Sequence, residues 1–194
     1  IAYAHPGLEA PYYGVINHEN EAGVFRVSDN AGLTPGMKFW TWGAQQGLNA
    51  DPEDFYENAR PYIELWSGIS KQFFQDAHLE ANEEISWTET YLSTQGMEAI
   101  TGMNRKASVL LDHLNDDAEK FLVKAFTTSP DSIYRIKVTL EGISSMELLD
   151  ETFVSEAVET ESHNLYLGDF DIPDGDYMLN ANITDMNGES LLES

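Results

Sequence analysis

No cysteine occurs among the 194 residues, which excludes disulfides, zinc-thiolate sites, iron–sulfur clusters and thiol nucleophiles. Basic residues are scarce as well: ten Lys plus Arg stand against 34 Asp plus Glu, a net charge of −24. A chain that acidic repels phosphate backbones and anionic lipid over a Debye length, so neither nucleic acid nor a membrane is an expected partner. The substrate it suits is a neutral one. No apolar run approaches the roughly 20 residues that a membrane-spanning helix needs. Gly-x-Ser-x-Gly, His-Glu-x-x-His, phosphate-loop and dinucleotide fingerprints are all missing, which leaves serine hydrolases, zincins, NTPases and Rossmann enzymes without support. No cofactor or metal is expected.

What is present reads as strands. With 42% hydrophobic and 11% aromatic residues, the chain can bury one substantial core or two small ones. Period-two alternation between turn signals marks residues 23–28, 37–42, 61–66 and 85–92. From about Met103 the strands become shorter and less aromatic, at 107–111, 120–127, 134–140, 147–153, 164–170, 177–183 and 190–192. Turns such as Pro173-Asp-Gly-Asp and Met186-Asn-Gly separate them, as in a small immunoglobulin-like sandwich. The expectation is therefore an all-β chain with one β-sandwich part at 1–103 and an immunoglobulin-like module at 104–194. A short helix or insertion loop is expected from Asp51 to Arg60, opened by Asp51-Pro52. The start, Ile1-Ala-Tyr-Ala-His-Pro, carries neither an initiator methionine nor a signal peptide, so a chain cut from something longer is expected. The acidity suits a periplasmic or extracellular home.

The informative feature is aromatic density. Trp40, Trp42, Trp66 and Trp87 all lie in the first half, with Tyr12, Tyr13, Tyr62 and Tyr91 nearby. Sugar rings stack their C–H faces on flat indoles while their hydroxyls bond carboxylates and amides, so tryptophan interleaved with Glu, Asn and Gln is what a sugar cleft needs. The competing reading is that these indoles simply pack between sheets. Trp40 and Trp42 are two apart on one strand and share a face, whereas Phe39 and Thr41 take the other.

Three runs carry a resemblance: Pro61-Tyr-Ile-Glu64-Leu-Trp-Ser-Gly, Leu79-Glu-Ala-Asn-Glu83 and Trp87-Thr-Glu-Thr-Tyr91. They resemble the end of the galactose-mutarotase-like (aldose 1-epimerase) fold, in which a Glu-bearing strand is followed by a Leu-x-Pro-Gly-Glu turn and an aromatic strand. Ala81-Asn82 stands where that fold has Pro-Gly, and Asn is the next-best residue at a positive-φ turn position. Residues 17–29, 35–43 and 62–65 are similar to a bacterial family of unknown function within that superfamily, often attached to tetratricopeptide repeats. The resemblance covers residues 12 to about 105, the C-terminal part of that sandwich.

It implies that Glu64 is the general base that removes the anomeric hydroxyl proton; the aromatic density, independently, nominates Trp40, Trp42 and Trp66 to bind substrate. The family's catalytic His lies upstream, in a half this chain is expected to lack. His18, beside Glu19 in a turn, is a rim candidate for substrate binding. Asp169, Asp171, Asp174 and Asp176 depart from calcium-loop spacing and read as a hairpin turn. The function expected is carbohydrate binding or processing within a larger bacterial protein, with a saccharide and the missing N-terminal portion as partners. Exposed sheet edges would also let the chain pair as a homo-oligomer. The alternative is a non-catalytic scaffold sandwich that binds other proteins.

Overall fold

The computed structural model describes residues 2–3, 10–28, 37–42, 62–70, 72–114, 117–130, 132–142, 144–155 and 160–194. Among them the chain is all β. In order the strands are β1 (Ala2–Tyr3), β2 (Tyr12–Asn17), β3 (Ala22–Ser28), β4 (Lys38–Trp42), β5 (Tyr62–Trp66), β6 (Glu89–Thr94) and β7 (Gly102–Met103). There follow β8 (Ala107–Leu114), β9 (Asp117–Thr127), β10 (Ile133–Glu141), β11 (Ser145–Val154), β12 (Glu161–Tyr166), β13 (Met178–Asp185) and β14 (Ser190–Glu193). One turn of 3-10 helix at Leu167–Asp169 follows β12, where a single strand to residue 170 was expected. The helix expected at Asp51 to Arg60 lies outside the described residues.

The chain divides into two compact units, one made of Ile1–Pro11 and Ser28–Glu89 and the other of Tyr12–Val27 and Thr90–Ser194. Residue 103, where the sequence places a boundary, lies inside the second unit, since β7 pairs with β8. The first unit holds the antiparallel sheet β1-β4-β5.

In the second unit two four-stranded sheets, β12-β9-β8-β7 and β11-β10-β13-β14, share one apolar core. Alternation builds it. Along β10, Tyr134, Ile136, Val138 and Leu140 are buried while Arg135 and Lys137 take the outer face, where they pair with Asp150 and Glu147. Val109 and Val123 meet them from the facing sheet. In chain order, β8, β9 and β12 fall in one sheet and β10, β11, β13 and β14 in the other, an antiparallel two-sheet sandwich. The Met186-Asn-Gly turn closes the last hairpin: Gly188 takes a φ of +84°, and the Asp185 carboxylate accepts from the backbone N–H groups of Asn187 and Glu189, both at 2.8 Å.

The sheet β12-β9-β8-β7 is apolar on its second face too. Leu110 and Phe126 point away from the inter-sheet core and bury Met97, which lies on the segment after β6. The Lys124 ammonium on the same face donates to the Gly96 carbonyl at 2.8 Å and pairs with Glu98. A third sheet, β2-β3-β6, adds a small core of Phe25, Val27 and Met103. Its strands approach so closely that a side chain at Gly14 would run into the Val24 carbonyl and the Phe25 ring.

Ile183 is fully buried between the two large sheets. Ile183→Ala is expected to lower unfolding free energy by about 2–5 kcal/mol, read from the urea midpoint of the intact chain.

Candidate functional site

Antiparallel register decides which side chains share a face. In the first unit Lys38 pairs with Trp66, Trp40 with Glu64 and Trp42 with Tyr62. Cross-strand partners point the same way, so Lys38, Trp40, Glu64 and Trp66 occupy one face of β4-β5, with Phe39 and Leu65 on the other. The shared face predicted for positions 40 and 42 is the observed one at the level of backbone pairing; the Trp42 side chain lies outside what is described. The indole Nε1–H of Trp66 donates to Glu64 Oε2 at 2.5 Å, a charge-assisted bond that fixes carboxylate and ring together.

The loop after β5 folds over this face. Lys38 is 4% exposed, and its ammonium donates to the Ser70 carbonyl at 2.7 Å while lying 5.5 Å from the centre of the Phe73 ring. Phe73 in turn meets Trp40 and Trp66 edge-to-face, with ring centres 5.0 and 5.2 Å away. Beyond it Phe74 is 91% exposed at a φ of +60°, a conformation that costs a bulky residue about 1–3 kcal/mol. Trp66, Ser67, Phe73 and Phe74 help wall an open depression of about 310 Å³.

Glu89 adds a second indole–carboxylate pair. Its Oε1 accepts from Trp87 Nε1–H at 2.7 Å and from the hydroxyl of Ser67, the residue next to Trp66. Strand β6 begins only at Glu89, so Trp87 lies ahead of the strand rather than within it as expected. Sequence reasoning singled out Trp40, Glu64 and Trp66 but missed Lys38, Phe73, Phe74 and Glu89. The adjacent phenylalanines were a usable signal; the role of Lys38 depends on a loop course that no local pattern encodes.

Other expected positions fall as follows. Asn82 takes the positive φ expected of it, +68°, in a turn closed by the Glu83 N–H donating to the Glu80 carbonyl at 3.0 Å. His18 is exposed in the turn between β2 and β3, in the second unit. Asp174 and Gly175 form a bend rather than the hairpin turn expected, since β12 and β13 on either side lie in different sheets; the Tyr177 hydroxyl donates to the Pro173 carbonyl at 3.0 Å. No group of three or more His, Asp and Glu able to hold a metal ion occurs among the described residues.

The second unit has a cleft of its own, about 300 Å³, between Tyr91–Ser93 of β6 and Phe126–Thr128 of β9. Arg26 is buried beside it. Its guanidinium donates to the Tyr13 hydroxyl at 2.9 Å and lies 5.2 Å from the centre of the Tyr91 ring. Burial pushes the Tyr13 phenol above its usual value of about 10, outweighing the opposing pull of Arg26, and burial pushes Tyr12 up as well. A raised phenol keeps its proton longer in the folded than in the unfolded chain. The stability it contributes is full below about pH 10 and lost as pH rises through the folded value. Absorbance titration at alkaline pH is expected to show these two phenols ionising later than the exposed ones, with the urea midpoint falling over the same window; Tyr13→Phe should flatten that fall.

Neither a protein-family model nor a solved structure matches the chain.

Proposed function

We propose that the first unit binds neutral saccharides on the face of β4-β5 that carries Trp40, Glu64 and Trp66, as part of a mutarotase-like cleft. The observation behind this reading is the Glu64 carboxylate set opposite Trp40 and hydrogen-bonded by the Trp66 indole. A carboxylate accepts sugar hydroxyls while indoles take the C–H face, and here one register supplies both within a single patch. The net charge of −24 favours neutral over anionic sugars.

Binding is better supported than turnover. Aldose 1-epimerase chemistry with Glu64 as base needs a partner acid. Among the described residues of this unit the histidine is His78, which is exposed and lies 3.2 Å from the Glu80 carboxylate. A second reading, a scaffold surface for a protein partner, draws on exposed Ile63, on the opposite face of β5, and exposed Ile69 in the loop that follows it.

Titrating the intact chain with mono- and oligosaccharides while following tryptophan emission separates the two. Saturable quenching or shift is expected, with Trp66→Ala weakening affinity about tenfold. Where polarimetry detects anomer exchange, Glu64→Gln should abolish it and keep sugar affinity within a few-fold. Emission indifferent to every saccharide would turn the assignment to the protein-binding surface.

A further inference from the structure

We propose that the ligand of this face is an oligosaccharide chain rather than a single ring, with Trp87 forming a second subsite next to that of Trp66. This inference rests on the saccharide reading of the first unit.

Four observations carry it. The unit contains the same device twice: an indole N–H donating to a carboxylate two residues away, Trp66 to Glu64 at 2.5 Å and Trp87 to Glu89 at 2.7 Å. Such a bond sets the plane of each ring in advance, which lowers the ordering cost of stacking a sugar on it. The two pairs are also joined, because the Ser67 hydroxyl donates to the same Glu89 oxygen that receives the Trp87 indole. Trp66, Ser67, Glu89 and Trp87 therefore form one continuous network. Third, the indoles are not spent in a core: Trp66 is 44% and Trp87 37% exposed. Last, the depression beside Trp66 measures about 310 Å³ and is open, at the small end of the range of roughly 300–1,000 Å³ for ligand pockets. A trough of that size admits part of a chain and lets the remainder run on across the surface.

Phe74 belongs to the same design. An aromatic ring held 91% exposed at a positive φ on the rim of the trough widens the apolar floor offered to a polymer. Acidic surroundings reject uronic or sulfated chains, so the chain expected is a neutral one.

The test is a length series. Cello-, manno- and xylo-oligosaccharides, from monosaccharide to hexasaccharide, are titrated against the full chain by calorimetry, with Trp87→Ala and Trp87→Phe alongside. For at least one series affinity is expected to rise about tenfold once the oligomer is long enough to reach the second indole. Trp87→Ala should remove that gain, and Trp87→Phe, which keeps a ring but not the N–H, should restore part of it. Far-UV circular dichroism matching the parent, which the Phe variant is chosen to retain, excludes unfolding as the cause. Affinity independent of length, or a gain undiminished in Trp87→Ala, overturns the second subsite and leaves single-sugar binding standing. Absence of binding at every length in all series overturns both readings together.

Discussion

A strand can offer one side chain to each face in turn, and when two strands pair, the register of the ladder decides which offers coincide. Both units are organised around this constraint. In β4-β5 it brings Lys38, Trp40, Glu64 and Trp66 onto one face; a slip of β5 by one residue would set Ile63 and Leu65 beside Lys38 and Trp40 in place of Glu64 and Trp66. Lys38 then ties down the loop that carries Phe73, so the aromatic cluster depends on the ladder twice, once for the indoles and once for the loop whose Phe73 ring meets them edge-to-face. In the sandwich the same alternation divides β10 into a buried set, Tyr134, Ile136, Val138 and Leu140, and an outer row of charge pairs.

Much of this was legible in the amino-acid sequence because the signal is local. The alternation in residues 23–28, 37–42 and 61–66 corresponds to β3, β4 and β5, and each of the seven segments expected from 107 onward contains a strand. Their number and spacing also suited the antiparallel two-sheet arrangement the strands adopt. Segments that carry a weaker pattern escaped: β2 interrupts its alternation with Gly14, and β1 and β7 are only two residues long. At residues 85–92 the alternation spoke for a strand, yet Ile85 to Thr88 run ahead of β6. Period two describes a pattern that can be paired; it does not supply the partner.

The candidate site was legible to the same degree. Trp40, Glu64 and Trp66 follow from an aromatic-rich strand pattern and a family resemblance, and their shared face follows from counting. The buried ammonium of Lys38 and the Ser67–Glu89–Trp87 network do not. Each joins residues more than twenty positions apart, and such contacts arise only once the loops have taken their course. The sheet β12-β9-β8-β7 posed a related difficulty. Ser108 and Leu110 are as buried as Ala107 and Val109, so β8 shows no alternation at its start and does not announce that it has apolar neighbours on both sides.

The neighbours β3 and β6 lie side by side in one sheet although about sixty residues of chain, carrying most of the first unit, separate the end of one from the start of the other. Their pairing is a long-range contact whose closure entropy must be met before its hydrogen bonds return anything. The hairpins β8–β9, β10–β11 and β13–β14 close over a few residues and carry no such burden. Closure entropy alone thus favours the hairpins of the C-terminal sandwich over the pairing of β3 with β6. During synthesis from the N-terminus, β2 and β3 therefore emerge long before the surface on which Phe25 and Val27 come to rest.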